Sequence, residues 1–192
     1  MSKKLILIIM MIIAVMFGAA SLVKTGSKEE PAKKQISLSG MVGKPAPDFS
    51  LQNQRGQTFR LSEMRGKKTV LFFNEGIMCY PACWNQMAAL GSDAALNNSE
   101  VASVSIVTDS QKQWTSAFAK MPELNKGTIL FDSKKAVSSQ YSMLSVDSSM
   151  HRGSTPGHTF VIVDQKGVVR YVKDDAQMGI RNDELRSELA KI

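Results

Sequence analysis

The hydrophobic and polar positions divide the 192-residue chain into three parts. Residues 5–23 are apolar almost without interruption and follow two lysines, Lys3 and Lys4. Residues 24–40 are polar and charged without apolar periodicity, a pattern that predicts a flexible linker. From residue 41 to residue 192 the apolar positions recur at the spacings of strands and helices, and this length predicts one folded domain.

The strands predicted within residues 41–192 are of two kinds. Alternating apolar positions, which predict an N-terminal β-hairpin, occupy 45–51 and 56–61. Continuous apolar runs, which are typical of buried strands, lie at 69–73, 101–107 and 128–131. A second hairpin is predicted from the segments 159–163 and 168–172, because a short turn that contains Gly167 joins them.

Helices are predicted between these strands. Their composition and spacing mark residues 80–97, 111–120 and 134–141, and a last helix that begins at Asn182. Strands that alternate with helices, followed by a hairpin and a final helix, predict an α/β fold with a central mixed sheet flanked by helices.

The apolar N-terminal segment predicts that the domain is exported. As a helix, residues 5–23 rise roughly 28 Å, close to the ~30 Å hydrocarbon core of a bilayer. Because the preceding lysines stay on the cytoplasmic side, residues 1–23 are predicted to be a single-pass signal anchor with the domain on the extracytoplasmic side. The alternative is a signal peptide cleaved near Ala20, which would make the domain a secreted protein.

The distribution of charge argues against a nucleic-acid partner. The chain carries 24 Lys and Arg against 17 Asp and Glu, a formal net charge of +7. The basic residues are scattered along the sequence and do not form a block with interleaved aromatic residues. We therefore interpret the excess as solvated surface, and we expect residues 5–23 to make the contact with the membrane.

The two cysteines, Cys79 and Cys83, are the strongest chemical signal in the sequence. They follow the first buried strand and lie where the next helix begins, and sites in α/β sheets form at the carboxyl ends of strands. A helix N-terminus stabilises a thiolate, the form of cysteine that attacks disulfides and peroxides or binds metal ions. If both residues were helical, their Cα atoms would lie about 6 Å apart, within reach of a disulfide.

A structural disulfide is the alternative interpretation of this pair, because exported proteins commonly contain such bonds. In the chain-entropy estimate, closing a loop of about five residues contributes roughly 2 kcal/mol, whereas a loop of about 100 residues contributes about 4.7 kcal/mol. A domain with this much apolar sequence has little need of the weaker bond. A redox-active or metal-binding pair is therefore the preferred interpretation.

Four motifs accompany the cysteine segment CYPACWNQ of residues 79–86. They are GKPAPDFSL at 43–51, LSEMRGK at 61–67, VLFF at 70–73 and PGHTFVIVD at 156–164. Together they resemble the AhpC/TSA–redoxin (peroxiredoxin-like) branch of the thioredoxin-like superfamily over roughly residues 41–192. The resemblance implies a thioredoxin-like fold with an N-terminal β-hairpin and an inserted strand–helix, and it implies thiol redox chemistry at Cys79 and Cys83.

The resemblance leaves the order of attack open. In the peroxidase motif Cys83 would be the attacking cysteine, with Pro81 preserved, but Tyr80 replaces the expected Thr and Gly157 the expected Arg. In C-x-x-C oxidoreductases the first cysteine attacks, which would assign Cys79 as nucleophile and Cys83 as the resolving thiol. These thioredoxin-like oxidoreductases also carry a cis-proline, which we assign to Pro156.

The three-residue gap between the cysteines is also the spacing of Sco-type copper chaperones, which resemble this fold and add a distal histidine. His158 lies just before the matching strand, so Cys79, Cys83 and His158 form an alternative copper site. A lone loop histidine is, however, more often exposed to solvent.

The remaining residues near the pair receive structural roles. Tyr80 and Trp84 are expected to shape the cysteine pocket, and Met78 is expected to line an apolar rim. Glu75 is interpreted as a solvated carboxylate, with a proton acceptor for a thiol as the alternative.

The leading hypothesis is a membrane-tethered thiol oxidoreductase of the peroxiredoxin-like type without a cofactor. One thiolate attacks a protein disulfide or a peroxide, and the other cysteine resolves the intermediate as an intramolecular disulfide. An external reductant must then restore the dithiol. The alternatives are a Sco-like copper chaperone and a non-catalytic redoxin-fold domain with a structural disulfide.

Overall fold

Two β-sheets form the framework of residues 38–192, the part of the chain that the computed structural model describes. The smaller sheet is an antiparallel hairpin of β1 (Ser50–Gln52) and β2 (Thr58–Arg60). The larger sheet contains β3 (Lys68–Phe73), β4 (Val101–Val107), β5 (Ile129–Phe131), β6 (Thr159–Val163) and β7 (Val169–Asp174). Its spatial order is β5–β4–β3–β6–β7. Strands β3, β4 and β5 run parallel, β6 pairs antiparallel with β3, and β7 pairs antiparallel with β6, so the central sheet is mixed, as predicted.

The central strand, β3, is apolar on both faces. Five of its six residues are buried, and the neighbouring β6 is buried along its whole length. Phe72 of β3 pairs with Phe160 of β6, and their rings stack with centroids 4.6 Å apart. Strands of this kind require a packed layer on each side of the sheet.

Four helices contribute to those layers: α1 (Ala82–Ser92), α2 (Thr115–Lys120), α3 (Ala136–Gln140) and α4 (Asn182–Leu189). One hydrophobic cluster joins Val70 and Phe72 of the sheet to α1, α2 and α4. A second cluster joins Leu71 and Phe73 to α3 and to Phe49 beside the hairpin. The alternation of side chains along β3 therefore divides the core between two layers.

Several predicted helices are shorter than their sequence patterns indicated. The helix predicted at 80–97 ends at Ser92, and beyond it Ala95 is exposed while Leu96 is buried. The helix predicted at 111–120 is divided into a 3-10 turn, Gln111–Trp114, and α2. The predicted helix and the observed 3-10 turn differ here because the local spacing of apolar residues does not distinguish an α-helix from a tighter turn of similar periodicity.

The predicted membrane anchor, residues 1–23, and the linker up to residue 37 lie outside the described residues. The last linker residues, Ser39 and Gly40, fall within a 3-10 turn that ends at Met41. Within residues 38–192, no helix has the length and apolar character needed to cross a membrane.

Candidate functional site

Cys79 and Cys83 form a disulfide beyond the carboxyl end of β3, with Cα atoms 5.3 Å apart. Cys79 follows the 3-10 turn Gly76–Met78, and Cys83 is the second residue of α1. The Cys83 N–H donates to the Cys79 carbonyl at 2.9 Å, so the chain already turns helically between them. This places Cys83 in the first turn of an eleven-residue helix, where the helix dipole favours a negative charge.

Both cysteines are covered by other parts of the chain. Cys79 is 3% exposed and Cys83 is fully buried. The sulfur of Met178 lies 3.9 Å from Cys79 Sγ, and Nδ1 of His158 lies 3.5 Å from Cys83 Sγ. Each sulfur therefore has its own neighbour from a distant segment.

His158 is buried rather than exposed to solvent, contrary to the expectation for a lone loop histidine. Its ring packs edge-on against Phe72 and Phe160, with centroids 4.6 and 5.4 Å away. Burial among these rings lowers the pKa of His158 to about 4, so the imidazole is neutral at neutral pH. The ligand atoms of Cys79, Cys83 and His158 all lie within 4.8 Å of one another.

The turn that leads to Cys79 depends on a glycine and two polar side chains. Gly76 has a φ of 67°, and its N–H donates to Asn74 Oδ1 at 2.9 Å. Oδ2 of Asp109, two residues after β4, accepts hydrogen bonds from the Ile77 N–H at 3.1 Å and from Trp114 Nε1 at 3.2 Å. Burial raises the pKa of the Asp109 carboxyl above its usual value.

Met178 belongs to a closed loop after β7 that carried no signal in the sequence. The Asp175 carboxylate accepts two hydrogen bonds from the Arg181 guanidinium, both 2.7 Å long, and one from the Gly179 N–H. The Arg181 N–H donates to Gln86 Oε1 of α1 at 2.7 Å. These bonds hold the loop, and with it Met178, against the helix that carries Cys83.

The predicted neighbours of the pair occupy different environments. Trp84 is buried and donates from Nε1 to the Gly76 carbonyl at 3.2 Å, whereas Tyr80 is about half exposed and packs edge-on against it. The Lys120 ammonium lies 3.6 Å from the centre of the Tyr80 ring. The assignment of the cis-proline to Pro156 was wrong, because within residues 38–192 the cis peptide bond is Tyr80–Pro81. Pro156 is instead a buried residue two positions before His158.

Two further residues differ from expectation. Glu75 is only 1% exposed and is not a solvated carboxylate. Gly157 has no room for a side chain, since a Cβ atom there would lie 2.2 Å from Ser148 Oγ and 2.4 Å from Val146 Cγ2. The arginine that the resemblance leads us to expect at this position is therefore excluded by packing. Met78 is 61% exposed beside Cys79.

Comparison with known proteins identifies a family and its relatives. The profile of the AhpC/TSA family matches residues 42–172. Peroxiredoxin Q, a chloroplastic protein of Triticum aestivum, is 31% identical over 74% of this chain. The Haemophilus influenzae protein bcp, named as a peroxiredoxin, is 30% identical over 76% of this chain and 96% of its own length. Thioredoxin-like protein YneN of Bacillus subtilis is 30% identical over 88% of this chain and 89% of its own.

The chain spans 65% of the length of the wheat protein, slightly less than two thirds. Among solved structures, Peroxidoxin BcpB from Mycobacterium tuberculosis superposes with a TM-score of 0.62 at 22% identity, covering 79% of this chain and 97% of that one. A likeness at this identity concerns the fold alone. It confirms the predicted thioredoxin-like α/β fold class.

Replacement of Gly76 tests whether the turn before Cys79 requires a residue without a side chain. A Cβ atom at Gly76 would lie 1.8 Å from Asp109 Oδ2, in addition to the strain of a positive φ. We expect Gly76→Ala to lower the free energy of unfolding by roughly 2–4 kcal/mol in urea denaturation. The matched control is Gly56→Ala, where φ is 74° and no atom lies within 4 Å of the added Cβ, so only about 1 kcal/mol should be lost. Equal losses in the two variants would contradict the predicted clash.

The raised pKa of Asp109 predicts a dependence of stability on pH. The folded protein retains this proton to a higher pH than the unfolded chain, so its stabilising contribution is full below about pH 4 and is lost as the pH rises through the raised pKa. Asp109→Asn keeps an oxygen acceptor and removes the charge. We expect the variant to be more stable than the wild type at about pH 7, with the difference shrinking toward about pH 3. Urea unfolding across this pH range measures the difference in the free energy of unfolding between the two proteins. A difference that does not change with pH would contradict the prediction.

Proposed function

The chain belongs to the AhpC/TSA family, and we propose that it is a thiol peroxidase that cycles Cys79 and Cys83 between dithiol and disulfide. One observation carries this proposal: Cys83 lies in the first turn of α1 with the buried imidazole of His158 3.5 Å from its sulfur. A nucleophile within hydrogen-bonding reach of a base, at a helix N-terminus, is the arrangement that activates a thiol. The peroxiredoxins among the relatives support a peroxide as the substrate.

In the oxidative half of the cycle, Cys83 attacks and His158 moves a proton. A thiolate formed on Cys83 favours the charged form of the neighbouring imidazole, so His158 accepts the thiol proton despite its burial, and the thiolate attacks the distal oxygen of a hydroperoxide, ROOH. The O–O bond breaks, the sulfur is oxidised to a sulfenic acid, and the leaving RO⁻ takes the proton from the imidazolium to form ROH. The Cys79 thiol then condenses with the sulfenic acid, which forms the disulfide and releases water.

The reductive half requires an external dithiol. Its first thiolate attacks Sγ of Cys79, which is 3% exposed whereas Cys83 is fully buried, and Cys83 leaves as a thiolate that the helix N-terminus stabilises. The second thiol of the reductant resolves the mixed disulfide, so that the reductant is oxidised and both cysteines are restored. This assignment makes Cys83 the cysteine that attacks peroxide and Cys79 the resolving cysteine.

The proposal also includes the location of the domain. The apolar residues 5–23 and the lysines before them support a single-pass anchor, with the domain on the extracytoplasmic side. The peroxide and the reductant are then encountered outside the cytoplasm.

Cysteine substitutions test the order of attack. We expect Cys83→Ser to abolish peroxide consumption by the pre-reduced protein, and Cys79→Ser to retain one turnover and accumulate a sulfenic acid that dimedone traps. His158→Asn should slow the peroxide step by roughly 100-fold, because the thiol loses its proton acceptor. Stopped-flow peroxide kinetics and mass spectrometry provide the measurements.

The reverse result, with a stable sulfenic acid on Cys79 in Cys83→Ser, would assign Cys79 as the attacking cysteine. A wild-type protein that reduces insulin disulfides but does not consume peroxide would identify a thiol-disulfide oxidoreductase, the class that the thioredoxin-like relative supports.

We propose copper binding as a second candidate function, because the ligand atoms of Cys79, Cys83 and His158 converge within 4.8 Å. In the reduced protein, two thiolates and an imidazole provide a soft donor set that suits Cu(I). The Met178 thioether beside Cys79 is a further soft donor close to these residues.

Competition with a Cu(I) chelator tests this second function on the reduced protein. We expect His158→Ala to weaken binding at least about 10-fold, in line with the loss of one ligand. Glu63→Ala is the control, since the Glu63 carboxylate is 61% exposed and lies outside the three-residue group. Equal affinity in the wild type and His158→Ala would exclude the three-ligand site.

A further inference from the structure

Glu75 is a buried carboxylate that the proposed chemistry does not use. It lies between β3 and the turn Gly76–Met78, four residues before Cys79, and is 1% exposed. Burying an ionised carboxylate is costly unless hydrogen-bond donors surround it. The position of those donors therefore shows what this carboxylate holds in place.

All the donors belong to one segment of the chain, residues 149–155. Glu75 Oε1 accepts hydrogen bonds from the N–H of Met150 at 2.6 Å, the N–H of His151 at 3.1 Å and the Thr155 hydroxyl at 3.2 Å. The Ser149 hydroxyl and His151 Nδ1 lie 3.4 Å from the same oxygen. The second oxygen, Oε2, is buried without a hydrogen-bond partner among the described residues. The carboxylate thus depends on this segment for the hydrogen bonds that offset the cost of its burial.

The same segment leads directly to His158. After Thr155 the chain passes through buried Pro156 and Gly157 and enters β6. At Gly157 it packs so closely against Ser148 and Val146 that no side chain fits. If residues 149–155 moved, they would leave the Glu75 carboxylate without its donors and would loosen the start of β6, where His158 faces Cys83.

We propose that Glu75 is a positioning residue for the thiol reaction, because it ties the segment that carries His158 to the segment that carries Cys79. This inference rests on the proposed function, in which His158 acts on Cys83. Glu75 touches neither sulfur in this role. It acts through His158, by holding the imidazole at its distance from Cys83.

The test compares Glu75→Ala with Glu75→Gln in the full chain. The glutamine retains an oxygen acceptor in place of Oε1, and the alanine does not. We expect the amides of Met150 and His151 to exchange hydrogen faster in Glu75→Ala, and the rate constant for peroxide to fall roughly 10-fold or more. Glu75→Gln should stay within about threefold of the wild type, since three donors keep their partner. Glu63→Ala, which removes an exposed carboxylate that pairs with Arg60, is the matched control and should change neither the exchange rates nor the rate constant for peroxide.

A double-mutant cycle separates positioning from a general loss of structure. If Glu75 acts through His158, Glu75→Ala should have little further effect on the rate constant in the His158→Asn background. Additive effects would overturn the inference, as would fast amide exchange with an unchanged rate constant. If Glu75→Ala does not fold, Thr155→Val takes its place in the double-mutant cycle, because it removes one of the hydrogen-bond donors to the Glu75 carboxylate.

The same double-mutant cycle is also measured with the rate constant for reduction of the disulfide by dithiothreitol, a reaction that requires no peroxide. A wild type that does not consume peroxide would reject the proposed function, and the dithiothreitol cycle would still decide the inference. Non-additive effects of Glu75→Ala and His158→Asn in that reaction support positioning, and additive effects overturn it.

Discussion

Polar groups buried at the carboxyl end of an apolar strand must find partners in other parts of the chain, and the site is built on this requirement. β3 is buried on both faces, and the residues that follow it, Asn74, Glu75 and Gly76, are buried as well. Water cannot satisfy their hydrogen bonds, so other groups of the chain must do so: Asn74 accepts from the nearby Gly76 N–H, and the Glu75 carboxylate depends on a segment far away in sequence. Asp109 holds the turn after β3 through the Ile77 N–H, and residues 149–155 surround the Glu75 carboxylate.

These interactions bring three segments together around the disulfide. The first contains the cysteines, the second ends at His158, and the third is the loop that begins at Asp175 and contains Met178. The buried side chains of Gln86 and Glu75 join these segments, because Gln86 accepts a hydrogen bond from the Arg181 N–H and Glu75 accepts one from the Met150 N–H. The sulfurs and the imidazole are consequently held in a closely packed environment, in which a small displacement has a large effect on a reaction.

Much of the fold could be predicted because local periodicity reports which positions are buried. The strand at 101–107 and the strand at 159–163 have the bounds that their apolar runs indicated, and both hairpins form. The helices were less predictable, since the pattern does not show where hydrogen bonding changes from α to 3-10 geometry, as it does at Trp114. We expected His158 and Glu75 to be exposed because such side chains usually are in loops, but the folded chain buries both. We assigned the cis-proline to Pro156 from the resemblance, but the cis peptide bond precedes Pro81.

The sequence by itself determined the strands, the place of Cys79 and Cys83 after a buried strand, and the family, because these depend on neighbouring residues and on their order. Only the tertiary structure decided that His158 faces Cys83, that Met178 covers Cys79 and that Glu75 is enclosed by residues 149–155. The partners in these contacts are separated by between 74 and 99 positions. Their proximity follows from the pairing of β3 with β6 and of β6 with β7, which no local pattern records.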